Sequence, residues 1–381
     1  MESIYAIPQP AVDPEQEAAD ALLRELVGLF EVHSVEFRQQ GKLIAFTGRM
    51  LVDAESAYDI IEGRFQDLGY TPLLRRQKKE DVIVAVKGVA GKSGTGNPLI
   101  NIVLFLATVL TTLAAGASLA GEELWAAVMS GSFSAVFESL LAGLPFTVTL
   151  LGILGVHELG HYLASRLHGV RATLPYFIPL PAVGIGTLGA FIQIKSPMTD
   201  RKVLFDIGMA GPYAGLLVAV PLLYLGLMLS LENVVPVFAS GLTLERIGSS
   251  ILITGLVQFF TDIPAGRTLL LDPIFFAAWL GLFLTALNLL PAGQLDGGHA
   301  AYAILGRKAH ALAYLVVFFL IVAGALLGST NWFVWAFFIL LSGLRHPPPL
   351  NDITDVTLTR KVIGVFSILL FILLFTPVPF R

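Results

Sequence analysis

Of 381 residues, 55% are hydrophobic and only 14% charged, where ordinary globular chains carry roughly a quarter charged residues. A soluble fold of this length could not cover so much apolar surface, so the bulk of the chain is expected in lipid. The formal net charge of −4 leaves no basic footprint for nucleic acid. With no cysteine, disulfides, thiol nucleophiles and cysteine-held metals are excluded, so any metal must rest on His, Asp or Glu.

Met1 to Asp20 is acidic and lacks the basic-then-apolar order of a signal peptide. Residues 1–90 hold much of the charge and no span-length apolar run. Asp13 to Phe30 reads as an amphipathic helix with Ala18, Leu22, Leu26 and Phe30 on one stripe. Val32–Arg38 and Lys42–Met50 alternate around a Gln-Gln-Gly turn and predict a hairpin. Asp53 to Leu68 predicts a second helix, stopped by Gly69. Thr71–Arg76 and Asp81–Val86 predict a second hairpin around the charged turn Gln77–Glu80. These elements make residues 1–90 a small soluble α+β domain. The Gly- and Ser-rich stretch Gly88–Asn97 reads as a linker, placed at 91–98, which leads into a membrane domain over 99–381.

A span needs about twenty apolar residues. Candidates are Ile100–Leu119, Leu144–Leu167, Leu204–Leu229, Pro273–Leu290, His310–Leu327, Trp332–Leu344 and Val362–Phe375. An α-helical polytopic membrane protein of about six or seven transmembrane helices is therefore expected. Glu122–Leu141 reads as an amphipathic helix lying along the interface. The loop Glu232 to Asp272 is too short for a second folded domain. With the N-terminal domain cytoplasmic, ten loop Lys and Arg residues fall on its side, Arg166, Lys195 and Arg360 among them. Only Arg246, Arg267 and Arg381 fall opposite, so N-inside is the expected orientation.

The second span contains Gly155-Val156-His157-Glu158-Leu159-Gly160-His161. Histidines at i and i+4 project from one helical face and can grip one zinc ion. Glu158 lies beside them, close enough to take a proton from a water that the metal acidifies. Ionisable groups inside a span cost several kcal/mol unless paired or used, and three within five positions need a common explanation, for which a metal is the economical one.

A catalytic zinc wants three protein ligands and an open position. The fourth span ends in Asn288-Leu289-Leu290-Pro291-Ala292-Gly293-Gln294-Leu295-Asp296-Gly297-Gly298-His299. Pro291, Gly293 and the Gly297-Gly298 pair break the helix at membrane depth, which is tolerated only where backbone lines protein or a water-filled cavity. Asp296 is thus a candidate third ligand. His299 is the competing one, or else orients Asp296. Asn288 can donate a hydrogen bond to an oxyanion. His33, His168, His310 and His346 have no motif context and read as surface, interface or packing residues.

HELGH in one span with NLLPAGQLDGG in a later one resembles the site-2 protease family of intramembrane zinc metalloproteases. The resemblance covers roughly Pro98 to Leu344. It implies that His157, His161 and Asp296 bind one zinc ion per chain, that Glu158 is the catalytic base, and that Asn288 is the family's motif Asn. Gly211-Pro212-Tyr213-Ala214-Gly215 resembles the family's GP-containing helix. The chain has neither the PDZ domain nor the CBS pair of many bacterial members. Its N-terminal domain, Phe177-Ile178-Pro179-Leu180-Pro181 and Gly186–Ile194 are similar instead to the cyanobacterial and plant-chloroplast branch. By that resemblance the targets are transmembrane proteins, and the host is a bacterial, archaeal, cyanobacterial or plastid-type membrane.

Gly186–Ile194 also has a physical reading. Leu188, Ala190, Ile192 and Ile194 alternate with Gly189, Phe191 and Gln193, and predict a strand of a membrane-embedded hairpin near the active site. Such an edge could hold a substrate segment extended. His161 lies about five residues before Arg166, which puts the metal on the order of 10 Å below the cytoplasmic surface. The rival expectation is a membrane metal-ion transporter or binding protein, although transporters usually spread ligands along a route and show paired halves.

Overall fold

Two units emerge from the way the chain packs on itself. The computed structural model describes residues 14–39, 42–89, 96–181, 184–237 and 241–379. One unit takes in the chain up to residue 92 together with Pro197–Arg201 and Pro348–Asp355; the other holds the remainder.

The first unit runs α1 (Pro14–Glu25), β1 (Phe30–Arg38), β2 (Leu43–Met50), α2 (Ala54–Asp67), β3 (Tyr70–Gln77) and β4 (Glu80–Lys87). Helix α1 stops five residues short of the expected end. Gly28 turns the chain at φ 79°, a conformation glycine adopts without steric cost, and Phe30 already belongs to a strand. Leu22, Leu26 and Phe30 of the expected stripe are nevertheless buried. Asp53 caps α2, accepting from the amides of Glu55 and Ser56 at 3.1 and 3.3 Å. Gly69 follows at φ 81°. Both expected hairpins form, and their inner strands pair antiparallel to give the order β1-β2-β4-β3. Asp13, Gln40, Gly41 and residues 90–95 of the expected linker lie outside the described residues.

What completes this unit comes from far along the chain. The core of Leu22, Phe46, Ile61, Phe65 and Ile83 also takes in Leu350. The Leu74 amide donates to the Leu350 carbonyl at 2.9 Å, and the Asp352 amide to Leu74 at 3.0 Å, so the open edge of β3 is covered. Arg201 Nε donates to Asp352 Oδ1 at 2.9 Å.

The second unit contains α3 (Pro98–Leu119), α4 (Leu124–Met129), α5 (Phe133–Ala142), α6 (Leu144–Leu167), β5 (Tyr176–Pro179), β6 (Thr187–Phe191), α7 (Arg201–Ser230), β7 (Val234–Pro236), α8 (Ile251–Phe260), β8 (Arg267–Leu269), α9 (Pro273–Asn288), α10 (Asp296–Leu305), α11 (Lys308–Leu327), α12 (Asn331–Ser342) and α13 (Leu358–Leu374). Among the described residues, α3, α7 and α11 are long and apolar enough to cross a membrane. Helices α5 and α6, bent by 48°, make a fourth span if taken as one. Of the other expected spans, α9, α12 and α13 reach 16, 12 and 17 residues. Helix α9 is short because the chain leaves helical geometry after Asn288, as the proline and glycines there require. Helix α12 is stopped by Gly343 at φ 88°. The interfacial helix expected over Glu122–Leu141 is two, broken at Ser130–Ser132, with Trp125, Met129 and Phe133 exposed. The loop 232–272 carries α8 and a small β7–β8 sheet.

The predicted hairpin is present as β5 and β6, paired antiparallel. Helix α3 holds it in place: Asn101 Nδ2 donates to the carbonyls of Leu174 and Pro175, both at 2.9 Å, and Phe105 packs edge-on to Phe177. The Thr111 hydroxyl donates to the Gly186 carbonyl at 2.6 Å. Gly186 sits at φ 74°, and a Cβ there would lie 2.5 Å from the Thr111 carbonyl oxygen. Only glycine permits so close a backbone approach.

Candidate metal centre

Helix α6 is one of the longest helices, with proline in its first turn, and its apolar run carries His157 and His161 inward on one face. The two rings are buried and stand edge to face with centroids 4.9 Å apart. The other contributor comes from the break after α9. Asp272 caps the start of α9, accepting from the Ile274 amide at 2.8 Å. Asn288 is its last residue, and after a seven-residue turn Asp296 opens α10. The glycine pair sets that geometry. A Cβ on Gly297 would fall 2.1 Å from the Leu289 carbonyl oxygen, and one on Gly298 2.3 Å from that of Gly293. The first turn of α10 can therefore pack directly on the broken end of α9, with the Asp296 carboxylate at a helix N-terminus, where negative charge is favoured.

The ends of these side chains converge. His157 Nε2 and His161 Nε2 are 3.2 Å apart, and Asp296 Oδ2 lies 3.2 Å from the first and 3.3 Å from the second. His161 Nδ1 is 2.7 Å from the Ile207 carbonyl oxygen. A carbonyl can only accept, so Nδ1 carries a proton, and in the neutral ring the lone pair lies on Nε2. With His157 in the same tautomer, three acceptors would face one another across a near-equilateral triangle, an arrangement that a cation completes. Zinc bonds of about 2.0–2.1 Å in tetrahedral geometry set ligand atoms about 3.3–3.4 Å apart. The triangle fits that edge length, and His157, His161 and Asp296 form a group able to hold a metal ion.

Helix α7 makes room for the ligands. A Cβ on Gly211 would meet the His161 ring at 2.1 Å, one on Gly215 would meet the His157 ring at 3.3 Å, and one on Gly208 would meet His299 Cβ at 2.7 Å. Gly208, Gly211 and Gly215 recur at helical spacing on one face of α7 and form a cradle. The GP-containing resemblance points to α7 without giving it this role. The sequence signal for the cradle is the small-residue periodicity within an apolar helix. The Ile207 carbonyl, a backbone group, carries no sequence signal at all.

Glu158 is buried next to the histidines and lines the same cavity, of about 210 Å³, without joining the ligand triangle. Asn288 Nδ2 lies 3.4 Å from His157 Nε2 at the rim of that cavity. Ala190 and Ile192, from the hairpin strand and the residues just after it, form its facing wall. His299 does not join the triangle. Its Nδ1 pairs with His346 Nε2, and His310 Nε2 donates to the His346 carbonyl at 3.3 Å. Burial, and then the His299 ring beside it, pushes His346 down to about 3, so it stays neutral. His168 pairs with Asp206 at 3.1 Å, and His33 lies 3.6 Å from Glu80 on the surface of the first unit.

Residues 145–324 match the family described as Peptidase family M50. The chain is 36% identical over 248 residues to the probable zinc metalloprotease EGY1, chloroplastic, of Arabidopsis thaliana, a match covering 62% of this chain and 43% of the relative. It is 35% identical over 243 residues to the EGY1 counterpart of Oryza sativa subsp. japonica, covering 62% and 41%. It is 31% identical over 248 residues to the probable zinc metalloprotease EGY2, chloroplastic, of Arabidopsis thaliana, covering 64% and 43%. The matched part thus spans less than half the length of these curated relatives. No solved structure matches the chain. The histidine pair, Glu158, Asn288 and Asp296 all fall between residues 145 and 324, the stretch that matches Peptidase family M50.

Proposed function

We propose that the chain is an intramembrane zinc metalloprotease that hydrolyses peptide bonds within membrane-spanning segments of other proteins. The observation that carries this reading is the 3.2–3.3 Å triangle of His157, His161 and Asp296 with Glu158 buried beside it. These three side chains would hold one zinc ion. Bound there, zinc supplies Lewis acidity, polarising a substrate carbonyl and acidifying water. Glu158 takes the proton of the attacking water and returns it to the leaving amine. Asn288 donates its amide N–H to the oxygen that gains negative charge on attack. The hairpin edge around Gly186–Ile194 holds the substrate extended, because a helical segment keeps its amides in its own hydrogen bonds.

Helices α9, α12 and α13 cross or enter the membrane with the longer spans in this reading, bringing the count to six or seven, and the N-terminal α+β domain over residues 1–90 faces the cytoplasmic side. The host membrane is of the cyanobacterial or plastid type, in line with the chloroplast names of the relatives. The transporter alternative finds no support. The matched family is a peptidase, and among the described residues this is the one group of three His, Asp or Glu side chains close enough to share an ion.

The deciding experiment combines metal analysis with peptide cleavage by purified protein in detergent. Glu158→Gln is expected to keep one zinc per chain and to lose about 10²–10⁴-fold in cleavage rate. Asp296→Ala is expected to lower zinc occupancy. Wild-type cleavage by Glu158→Gln would overturn the assignment of the base, and full occupancy in Asp296→Ala would move the third ligand elsewhere.

A further inference from the structure

The polar cavity at the metal centre is not the largest void in the second unit. A second cavity, of about 560 Å³, opens between α9 and α12 and the start of β6, and its walls are almost wholly apolar. Leu284 and Leu287 of α9, Val334 and Phe338 of α12, and Leu188 of the hairpin line it. It adjoins the reaction site, since Asn288 and Leu295 line both cavities. A smaller void of about 110 Å³ bridges them, bounded by Leu188, Gly189 and Ala190 on one side and by His157, Glu158 and Asn288 on the other. The hairpin changes character at this junction. Register slips between Phe177 and Pro179, and Gly189 opposite the slip takes φ 106°. Such a bulge re-aims neighbouring side chains, and here Ala190 lines the polar cavity while Leu188 lines the apolar one. On the outer side, Val334, Phe338 and Leu341 are 40%, 52% and 71% exposed, so the cavity opens along an apolar helix face.

From this adjacency we infer that the α9–α12 cavity is the specificity pocket of the enzyme and takes a bulky apolar side chain of the substrate close to the scissile bond. The inference rests on the proteolytic reading above. A strand advances about 3.3 Å per residue. A segment lying along β6 with its carbonyl at the metal centre therefore brings a side chain within about three residues of that carbonyl to the cavity mouth. The side-chain class follows from the walls: Leu, Phe or Met gains by burial there, whereas Asp or Lys would have to leave water without a partner. Asn288 marks the boundary, with its amide on the reaction side and, on the pocket side, its neighbour Leu287 and Leu284 one turn back on α9.

The test uses synthetic apolar peptides of about twenty residues in detergent micelles, with each position around the cleaved bond set in turn to Phe, Leu, Ala or Asp. One position, on one side of that bond, is expected to prefer Phe or Leu over Ala by about tenfold or more in kcat/KM. Val334→Trp, at a partly exposed site where a larger side chain can be admitted, is expected to remove that preference, read as the ratio of kcat/KM for the Phe peptide to that for the Ala peptide. Phe338→Ala is expected to extend the preference to Trp. In parallel, a peptide bearing benzoylphenylalanine at the preferred position, irradiated with the Glu158→Gln protein, is expected to cross-link within residues 283–295 or 331–342. A preference untouched by Val334→Trp, or cross-links only outside those stretches, overturns the pocket. Cross-linking there without cleavage by the wild type would uphold the pocket and overturn the protease reading. Cleavage without any side-chain preference would do the reverse.

Discussion

Gly211→Ala isolates the cradle that α7 builds for the ligands. The added Cβ would lie 2.1 Å from His161 Nε2, 2.4 Å from Cδ2 and 2.6 Å from Cε1, against an ordinary contact distance of 3.4 Å or more. The ring must therefore retreat by about 1 Å or more, or the helices must part. Parting is resisted because Gly160 of α6 and Ala210 of α7 already meet at backbone distance, a Cβ on Gly160 coming 2.6 Å from the Ala210 carbonyl oxygen. The ring is also fixed on its other side by the bond from Nδ1 to the Ile207 carbonyl. Disturbing the groups that orient a metal ligand typically costs 10–100-fold in affinity, and misplacing a reacting group by 1 Å costs about 10²-fold in rate. Gly211→Ala is thus expected to lose zinc to a chelator at 10–100-fold lower concentration than wild type, and to cleave at least 100-fold more slowly. Gly152→Ala on α6 is the control: nothing lies within 4 Å of its added Cβ, and alanine favours the helix by about 0.5–1 kcal/mol. Competition for zinc, with thermal unfolding read alongside, separates displacement of the ligand from loss of fold. Wild-type zinc affinity in a stably folded Gly211→Ala protein would refute the cradle.

Other outcomes follow from the same geometry. Asn288→Ala should keep its zinc and lose about 10²–10³-fold in kcat, the scale of one oxyanion donor; an unchanged kcat would remove that role. Gly297→Ala drives a Cβ to 2.1 Å from a backbone oxygen, which cannot swing aside as a side chain can. Asp296 should be displaced and zinc occupancy should fall, as metal analysis would show. In the first unit, the fully buried Asn351 amide donates to Ala54 O and Thr354 Oγ1 and accepts from the amides of Ile353 and Thr354. Asn351→Ala should destabilise that unit by about 1–3 kcal/mol, measured as faster limited proteolysis within residues 14–89.

Much of this is legible from residue order because the signals are local. A histidine pair at i and i+4 fixes its own helical face, and alternation around short turns predicts hairpins whatever surrounds them. Asp53 and Gly69 bound α2 where cap and stop rules place them. Signals fail where the determining partner lies far along the chain. Leu350 and Asn351 complete a core begun more than three hundred positions earlier, and no periodicity in Pro348–Asp355 announces that. The helical stripe overruns α1 because Leu26 and Phe30 keep helical spacing although they are buried from a turn and a strand. His346 has no motif around it, since its partner His299 lies across the fold.

The centre also shows how an apolar chain sustains ionisable chemistry. An isolated carboxylate or imidazolium within a span costs several kcal/mol. Here two ligands have a compensating contact beyond the triangle: His161 with the Ile207 carbonyl, and Asp296 with the N-terminal end of α10. Both contacts use backbone that a helix bearing larger side chains would not expose. The Ile207 carbonyl is reachable because Gly208 and Gly211 let the ring lie against α7, and the α10 terminus exists because Pro291 and the glycines ended α9 early. The shortness of α9 and the bare glycine face of α7 are therefore what let the ligand triangle form within so apolar a unit. Lengthening α9 by Pro291→Ala or filling the α7 face would strengthen the helices and weaken the centre together.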